Sequence, residues 1–506
     1  MSADDAVTGQ QRFVATVDSR AWENPFLTGE NLARFHRYSM AVWDRAQSIA
    51  GIDTKVLRCA FSVNMAQNMY GWAQVMVHHG IDATLYPHPM DFTALNAPEW
   101  EEFDGAYGDI FDGAGFLAAH PEISLKVPVK RVVLEGSTLL GAHIARSRNS
   151  DLVGNWTWAN FEARSAGMRL AYLLAHDGCY PYFSWARELA THEVVLSAGW
   201  PIAAHASGKP HFVLPVGGEF EHDCGRSDAF GAAMREAMAG AEAVFVTNPH
   251  TLAHARRLGL RNCLYLPFLL DTERYSPSTG RARAEWSAAL GDGVFVLMTS
   301  RVDRRVKGQG PELTQALVEC ASRNPQLRFV FLSWGSDASE FSTMIENAGL
   351  SNRVLMLPAV GKRQLLDYYR SCDVVLDQLV WGYLGSTALE AAAVGKPVIM
   401  RCRREQYEEL SGGDPPAVVG IETFAELAET VLELAADVEL RKRTGRLARE
   451  WAVRLHGPQR IAPILRALLK CAIVGANLDV DEPNPLDDPL TGDEVAYHHS
   501  RRVVHL

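Results

Sequence analysis

The stretch Gly385-Ser386-Thr387-Ala388-Leu389-Glu390-Ala391-Ala392-Ala393-Val394-Gly395-Lys396-Pro397-Val398-Ile399-Met400 decides how the chain is read. Small residues open a run of helix formers, Gly395 stops it, and an apolar strand candidate follows at once. A helix delivered straight into a buried strand is half of a βαβ unit, the building block of a parallel sheet covered by helices. Free N–H groups at such a helix start, where the macrodipole is positive, suit a phosphate; an ordinary Ser or Thr N-cap uses the same residues. Glu390, one turn in, is placed either to accept hydrogen bonds from vicinal ribose hydroxyls or to offset the dipole.

Outward from this stretch the unit repeats. Strand candidates precede it at Gly293–Thr299, Leu327–Leu332, Val354–Leu357 and Val374–Leu376. An earlier series runs through Lys55–Val63, Ala83–Tyr86, Glu193–Ser197, Lys209–Val216, Ala243–Thr247 and Cys263–Pro267. The spacing predicts two doubly wound α/β domains, joined near Pro267–Thr279, with ligands in the cleft between their strand ends. The chain then divides into an amino-terminal extension (1–54) with helical spacing over Asn31–Ile49, a first domain (55–270) and a second (275–455). A helix (456–475) crosses back to the first domain, and an acidic, Pro-rich tail (476–506) follows.

Composition agrees with a two-domain globular chain. The 506 residues exceed what one hydrophobic core serves, and 47% hydrophobic with 22% charged residues is ordinary for a soluble globular chain. A net charge of −11 argues against nucleic acid or anionic membrane as a partner. No apolar run is long enough to span a bilayer. The eight cysteines are scattered without a CxxC pair, so a reducing compartment, the cytoplasm, is expected and zinc-ligand spacing is absent. Asp479 and Asp481 read as tail acids, so no metal is assigned.

A second signal lies at the strand Val294–Thr299. It runs into Ser300-Arg301, then Arg304, Arg305 and Lys307-Gly308. Arg301 with its planar fork and Lys307 as a point charge would hold a diphosphate at the sheet edge; a solvated basic loop is the alternative reading.

Together these residues resemble a known family. Ser300-Arg301 with Lys307-Gly308, Tyr368-Tyr369-Arg370-Ser371-Cys372-Asp373-Val374-Val375, and Gly385 with Leu389-Glu390-Ala391 and Gly395-Lys396-Pro397-Val398 are similar to the carboxyl half of family four glycosyltransferases. Pro267-Phe268-Leu269-Leu270-Asp271-Thr272-Glu273-Arg274-Tyr275-Ser276-Pro277 resembles that family's inter-domain linker. The resemblance implies the GT-B fold and a retaining transfer from a nucleotide-diphosphate sugar, which is a co-substrate rather than a permanently bound cofactor. It implies that Arg301 and Lys307 neutralise the diphosphate, that the amides of Gly385, Ser386 and Thr387 cradle it, and that Glu390 holds the ribose. A small molecule, a glycan or a lipid-linked hydroxyl would be the acceptor. The family's usual first Glu, which contacts the sugar, falls here on Gly382; Asp377 or Gln378, or the backbone at Gly382, would take its place. Two other readings follow from the same pocket: a GT-B-like nucleotide-sugar epimerase, and a catalytically silent nucleotide-sugar-binding protein.

In the amino-terminal half, Ser62–Asn68 ends the first strand as a polar turn, with Asn64 a candidate for sugar or phosphate contact. Gly217-Gly218-Glu219 closes a later strand. Glu219, His222 and Asp223, and separately His176-Asp177, are candidates to orient or deprotonate an acceptor hydroxyl, against a structural role for each histidine. Trp100, Trp156, Trp158, Trp185 and Trp200 crowd this half, as core residues or as a platform for a sugar face.

Overall fold

Short apolar runs become strands wherever both faces are covered, and here they form two all-parallel six-stranded sheets. The computed structural model describes residues 22–51, 55–88, 93–132, 181–227 and 229–502. The first sheet contains β1 (Leu57–Ser62), β2 (Ile81–Tyr86), β3 (Val194–Ala198), β4 (His211–Leu214), β5 (Ala243–Val246) and β6 (Cys263–Tyr265), in the order β2-β1-β3-β4-β5-β6. The second contains β7 (Val294–Met298), β8 (Leu327–Leu332), β9 (Val354–Leu357), β10 (Val374–Leu376), β11 (Val398–Arg401) and β12 (Val419–Ile421), in the order β12-β11-β10-β7-β8-β9. The direction of winding reverses between β1 and β3 in one sheet and between β7 and β10 in the other. Beyond the carboxyl ends of those strands a doubly wound sheet opens its ligand crevice.

The strands are buried on both faces, as in Val194–Ala198 and Ala243–Val246, where every residue is inaccessible to solvent. That explains runs of apolar residues without alternation. The sequence does not signal β12, because it is a three-residue edge strand with Gly420 exposed at its centre.

Within the amino-terminal stretch, residues 22–51 pack into the body of the fold. The helix Gly29–Ala50 buries Leu32, Phe35, Val42, Trp43 and Ala46 in the core of the first domain. It packs against the helix Pro458–Ile473, whose Ile461, Leu465 and Leu468 join the same core. Trp22 reaches the other way. It is buried in the core of the second domain, and its indole donates to the Trp381 carbonyl at 2.9 Å. The tail also folds onto the first domain. Arg256 donates to Glu494 at 2.8 Å and to the carbonyls of Leu486, Asp488 and Pro489, and both charged side chains are buried. Pairing of this kind is what makes a buried arginine tolerable.

Candidate functional site

The loop after β7 is built rather than merely solvated. Asp303, buried, accepts the amides of Arg305 at 3.1 Å and Val306 at 3.0 Å through Oδ1. The Asp303 carbonyl accepts the amides of Lys307 and Gly308. Gln309, also buried, closes the loop from below, donating to the Arg301 carbonyl at 3.2 Å and accepting from the Asp303 amide. Arg301 keeps nearly half its side chain exposed and approaches Asp303 at 3.5 Å. Lys307 is half-buried; burial pushes its ammonium down from the usual lysine range, while Asp377 and Asp303 oppose the shift. Gly308 adopts φ +94°, and a Cβ there would meet Leu379, Phe424 and Val380 at 3.1–3.2 Å, so the turn beside Lys307 requires glycine.

Across the switch point, β10 ends in Asp377 and Gln378, both buried. Burial raises Asp377 to about 6, against the pull of Lys307 and of the Gln378 and Ala388 amides. Among the described residues, neither Asp377 oxygen closes a hydrogen bond of normal geometry, and Gln378 Oε1 likewise has no partner. Gln378 has φ +49°, a left-handed conformation that a non-glycine residue adopts only at a cost. These unsatisfied polar atoms surround the start of the helix Ser386–Ala393, where Gly385 is the N-cap and supplies no side-chain cap. Gly385 leaves the amides of Ser386 and Thr387 without a side-chain cap, while the Ala388 amide is turned toward Asp377.

Glu390 lies one turn further, 4% exposed. Its Oε1 accepts from the Lys362 ammonium, itself buried, and its Oε2 has no partner among the described residues. The two line a crevice between the domains with Ser386, Tyr275, Arg274 and Glu101. Trp72 and Ala66 form its first-domain wall. Desolvation raises the Glu101 carboxyl, while Arg274 at 3.3 Å draws it down.

Gly382 shows why the usual carboxylate is missing. It adopts φ +75°, and a Cβ would lie 2.9 Å from the Arg401 carbonyl. The loop around it is pinned from both domains: Tyr407 donates to Asn248 Oδ1, and the Leu384 amide donates to the same oxygen at 3.1 Å. A glutamate does not fit this backbone.

The first-domain candidates are disposed differently. Asn64 follows β1 at the crevice side but is spent internally, donating to the Asn96 carbonyl at 2.9 Å and accepting the Tyr70 amide at 2.8 Å. Val63 and Ala66 in the same turn have φ of 62° and 47°. Gly217, Gly218, Glu219 and His222 follow β4 and do not line the crevice. Glu219 is buried and accepts the amides of Gly217 at 2.8 Å and Val216 at 3.3 Å; burial raises its carboxyl to about 7 against those amides. Asp223 accepts the Trp200 indole at 2.6 Å, and Trp185 is core. His176, Trp156 and Trp158 lie outside the described residues. Lys362, Arg274 and Glu101 were not singled out in the sequence. Lys362 carries a retrospective signal, since Gly361 opens its helix as Gly385 opens the other.

Residues 284–451 match the family of glycosyl transferases group 1. A D-inositol 3-phosphate glycosyltransferase of Paenarthrobacter aurescens is 29% identical over 211 residues, covering 41% of this chain and 51% of that protein. Its counterpart in Corynebacterium glutamicum is 27% identical over 41% of this chain and 51% of its own length. The chain thus spans about half the length of these relatives. Among solved structures, sucrose-phosphate synthase from Thermosynechococcus elongatus superposes with a TM-score of 0.54 at 15% identity, over 83% of this chain and 100% of that one. Anabaena HepE in complex with UDP and glucose gives 0.53 at 14% identity, over 82% and 99%. The fold is GT-B, and the resemblance to group 1 glycosyltransferases read from the motifs of the second domain holds.

Proposed function

We propose that the chain transfers a sugar from a nucleoside-diphosphate sugar to an acceptor hydroxyl, with retention at the anomeric carbon. The observation that supports it most is the convergence at the second switch point. A preformed basic loop carrying Arg301 and Lys307 and the uncapped helix at Ser386 meet around Asp377, and Glu390 stands one turn along that helix. Breaking the sugar–oxygen bond places negative charge on the departing diphosphate, and fixed cations and amides aimed there lower the barrier. The acceptor oxygen bonds to the anomeric carbon as that bond breaks, and its proton passes to a phosphate oxygen of the leaving group. Asp377 and Gln378, with unsatisfied polar atoms at the site, take the sugar contacts that a residue at Gly382 does not supply. The acceptor sits against the first domain.

The relatives' names make an inositol phosphate one acceptor to try, and the UDP bound to the Anabaena neighbour makes a uridine nucleotide the first donor. The test is incubation with a panel of nucleotide sugars, with and without polyol-phosphate and sugar acceptors, reading released nucleoside diphosphate. Acceptor-dependent release supports transfer. A changed sugar still attached to nucleotide indicates an epimerase, and tight binding without turnover indicates a silent binder.

A further inference from the structure

Between β2 and β3 the first domain sends out the segment 94–120, which carries its own apolar cluster of Ala94, Trp100, Tyr107, Ile110 and Phe116. The cluster is completed by Ala359 of the second domain. The segment docks on the loop after β9 through main-chain bonds. Tyr107 N–H donates to the Ala359 carbonyl at 2.8 Å, Gly361 N–H to Gly105 at 2.9 Å, and Arg363 N–H to Phe103 at 3.2 Å. The Trp100 indole donates to the Val360 carbonyl at 2.8 Å. Gly361 is needed for this approach, since a Cβ there would stand 2.3 Å from the Phe103 carbonyl. Charge closes the edges: Glu102 takes Arg363 at 3.0 Å and Arg274 of the linker at 3.4 Å.

The residue after Gly361 is Lys362, the partner of Glu390. Its ammonium lies 5.8 Å from the centre of the Trp100 ring. Glu101 of the same segment stands in the crevice with Lys362 and Glu390. This segment, a strap between the domains, therefore sets where Lys362 can go, and Lys362 holds the Glu390 side chain in place. Resting on the donor-site reading above, we infer that Lys362 and Trp100 are positioning residues for the donor. Trp100 holds the Val360–Lys362 turn, Lys362 holds Glu390, and the free Oε2 of Glu390 is thereby presented to the donor's hydroxyls. The first domain thus contributes to the nucleotide side of the cleft, and the donor site is complete only when the strap is docked.

The test uses the full chain and direct titration with UDP, GDP and ADP, followed by steady-state kinetics with the nucleotide sugar that turns over. Trp100→Ala and Lys362→Ala should each weaken nucleoside diphosphate binding by about tenfold and raise the donor KM to match. The acceptor KM should be unmoved. Lys362→Arg should recover most of the loss, and Trp100→Phe, which keeps the ring but not the indole N–H, should lie between. A merely structural role gives a different pattern, with kcat falling with the folded fraction and donor KM unchanged. Thermal melts of all four variants identify that case, and the two conservative variants keep the test alive if an alanine variant does not fold. Nucleotide affinities within twofold of wild type across the set overturn this inference and leave the donor site standing. A wild-type chain that binds none of the three nucleotides overturns the donor-site reading itself, and this inference with it.

Discussion

The carboxyl edges of the two sheets face one cleft and are built alike, yet their polar groups are spent differently. On the first sheet, Asn64 and Glu219 satisfy themselves on neighbouring backbone. On the second, Gln378 Oε1 and Glu390 Oε2 are buried without hydrogen-bond partners among the described residues, Asp377 has only strained backbone contacts, and Gly385 gives the helix at Ser386 no side-chain cap. Buried polar atoms left open are costly, so a fold retains them where something else completes them. The first edge has open buried atoms as well, Ser62 Oγ and His222 Nε2 among them, so the contrast lies in where the carboxyl and carboxamide groups are spent.

The sharpest way to break the contrast is at Lys307. Lys307→Ala should lower kcat by roughly 10²-fold or more, the scale for losing one preorganised electrostatic donor, while the melting temperature stays close to wild type. Arg301→Lys should also be poorly tolerated, because a point charge does not reproduce the guanidinium fork. Turnover within twofold of wild type in Lys307→Ala would return the loop to a solvated surface.

Gly382→Glu comes next. Left-handed backbone and the close Arg401 carbonyl should make this variant less stable by about 3 kcal/mol and inactive, rather than restored to the usual family pattern. Denaturant melts alongside nucleotide titration check both parts, and an active, stable variant would show that the loop can move. On the opposite edge, Asn64→Ala should cost about 2 kcal/mol of stability by stranding the Tyr70 amide, with nucleotide affinity unchanged. A selective loss of nucleotide binding there would erase the difference between the edges.

The smallest expected effect is electrostatic. Glu219 titrates near 7 in the folded chain, above the usual carboxyl range, because burial disfavours its charge. The folded state then holds more protons than the unfolded state from about pH 4.5 to 7, so stability falls as pH rises through that window and levels off above it. Glu219→Gln should remove this slope, leaving the variant more stable than wild type at pH 8 and the two alike near pH 4. Melts across that range decide it, and parallel pH profiles would show that Glu219 ionises normally.

Much of this was legible without coordinates. Short apolar runs punctuated by Gly and Pro announced eleven of the twelve strands described, because a strand covered on both faces leaves a continuous apolar signature. The Arg301–Gly308 loop and the Gly385–Glu390 helix start were legible because each is a contiguous stretch whose chemistry depends on backbone that the stretch itself shapes. The left-handed turn at Gly308 and the uncapped helix behind Gly385 are of that local kind. What composition and periodicity do not carry is pairing at long separation. Lys362 meets Glu390 only because two strand–helix units pack side by side, Trp100 reaches Val360 across 260 residues of chain, and Trp22 joins the core of the far domain. Amino-acid order dictates local conformation, whereas the partner of a buried charge is chosen by which elements the tertiary fold brings within a few ångströms, and that choice made Glu390 half of an ion pair with one oxygen free.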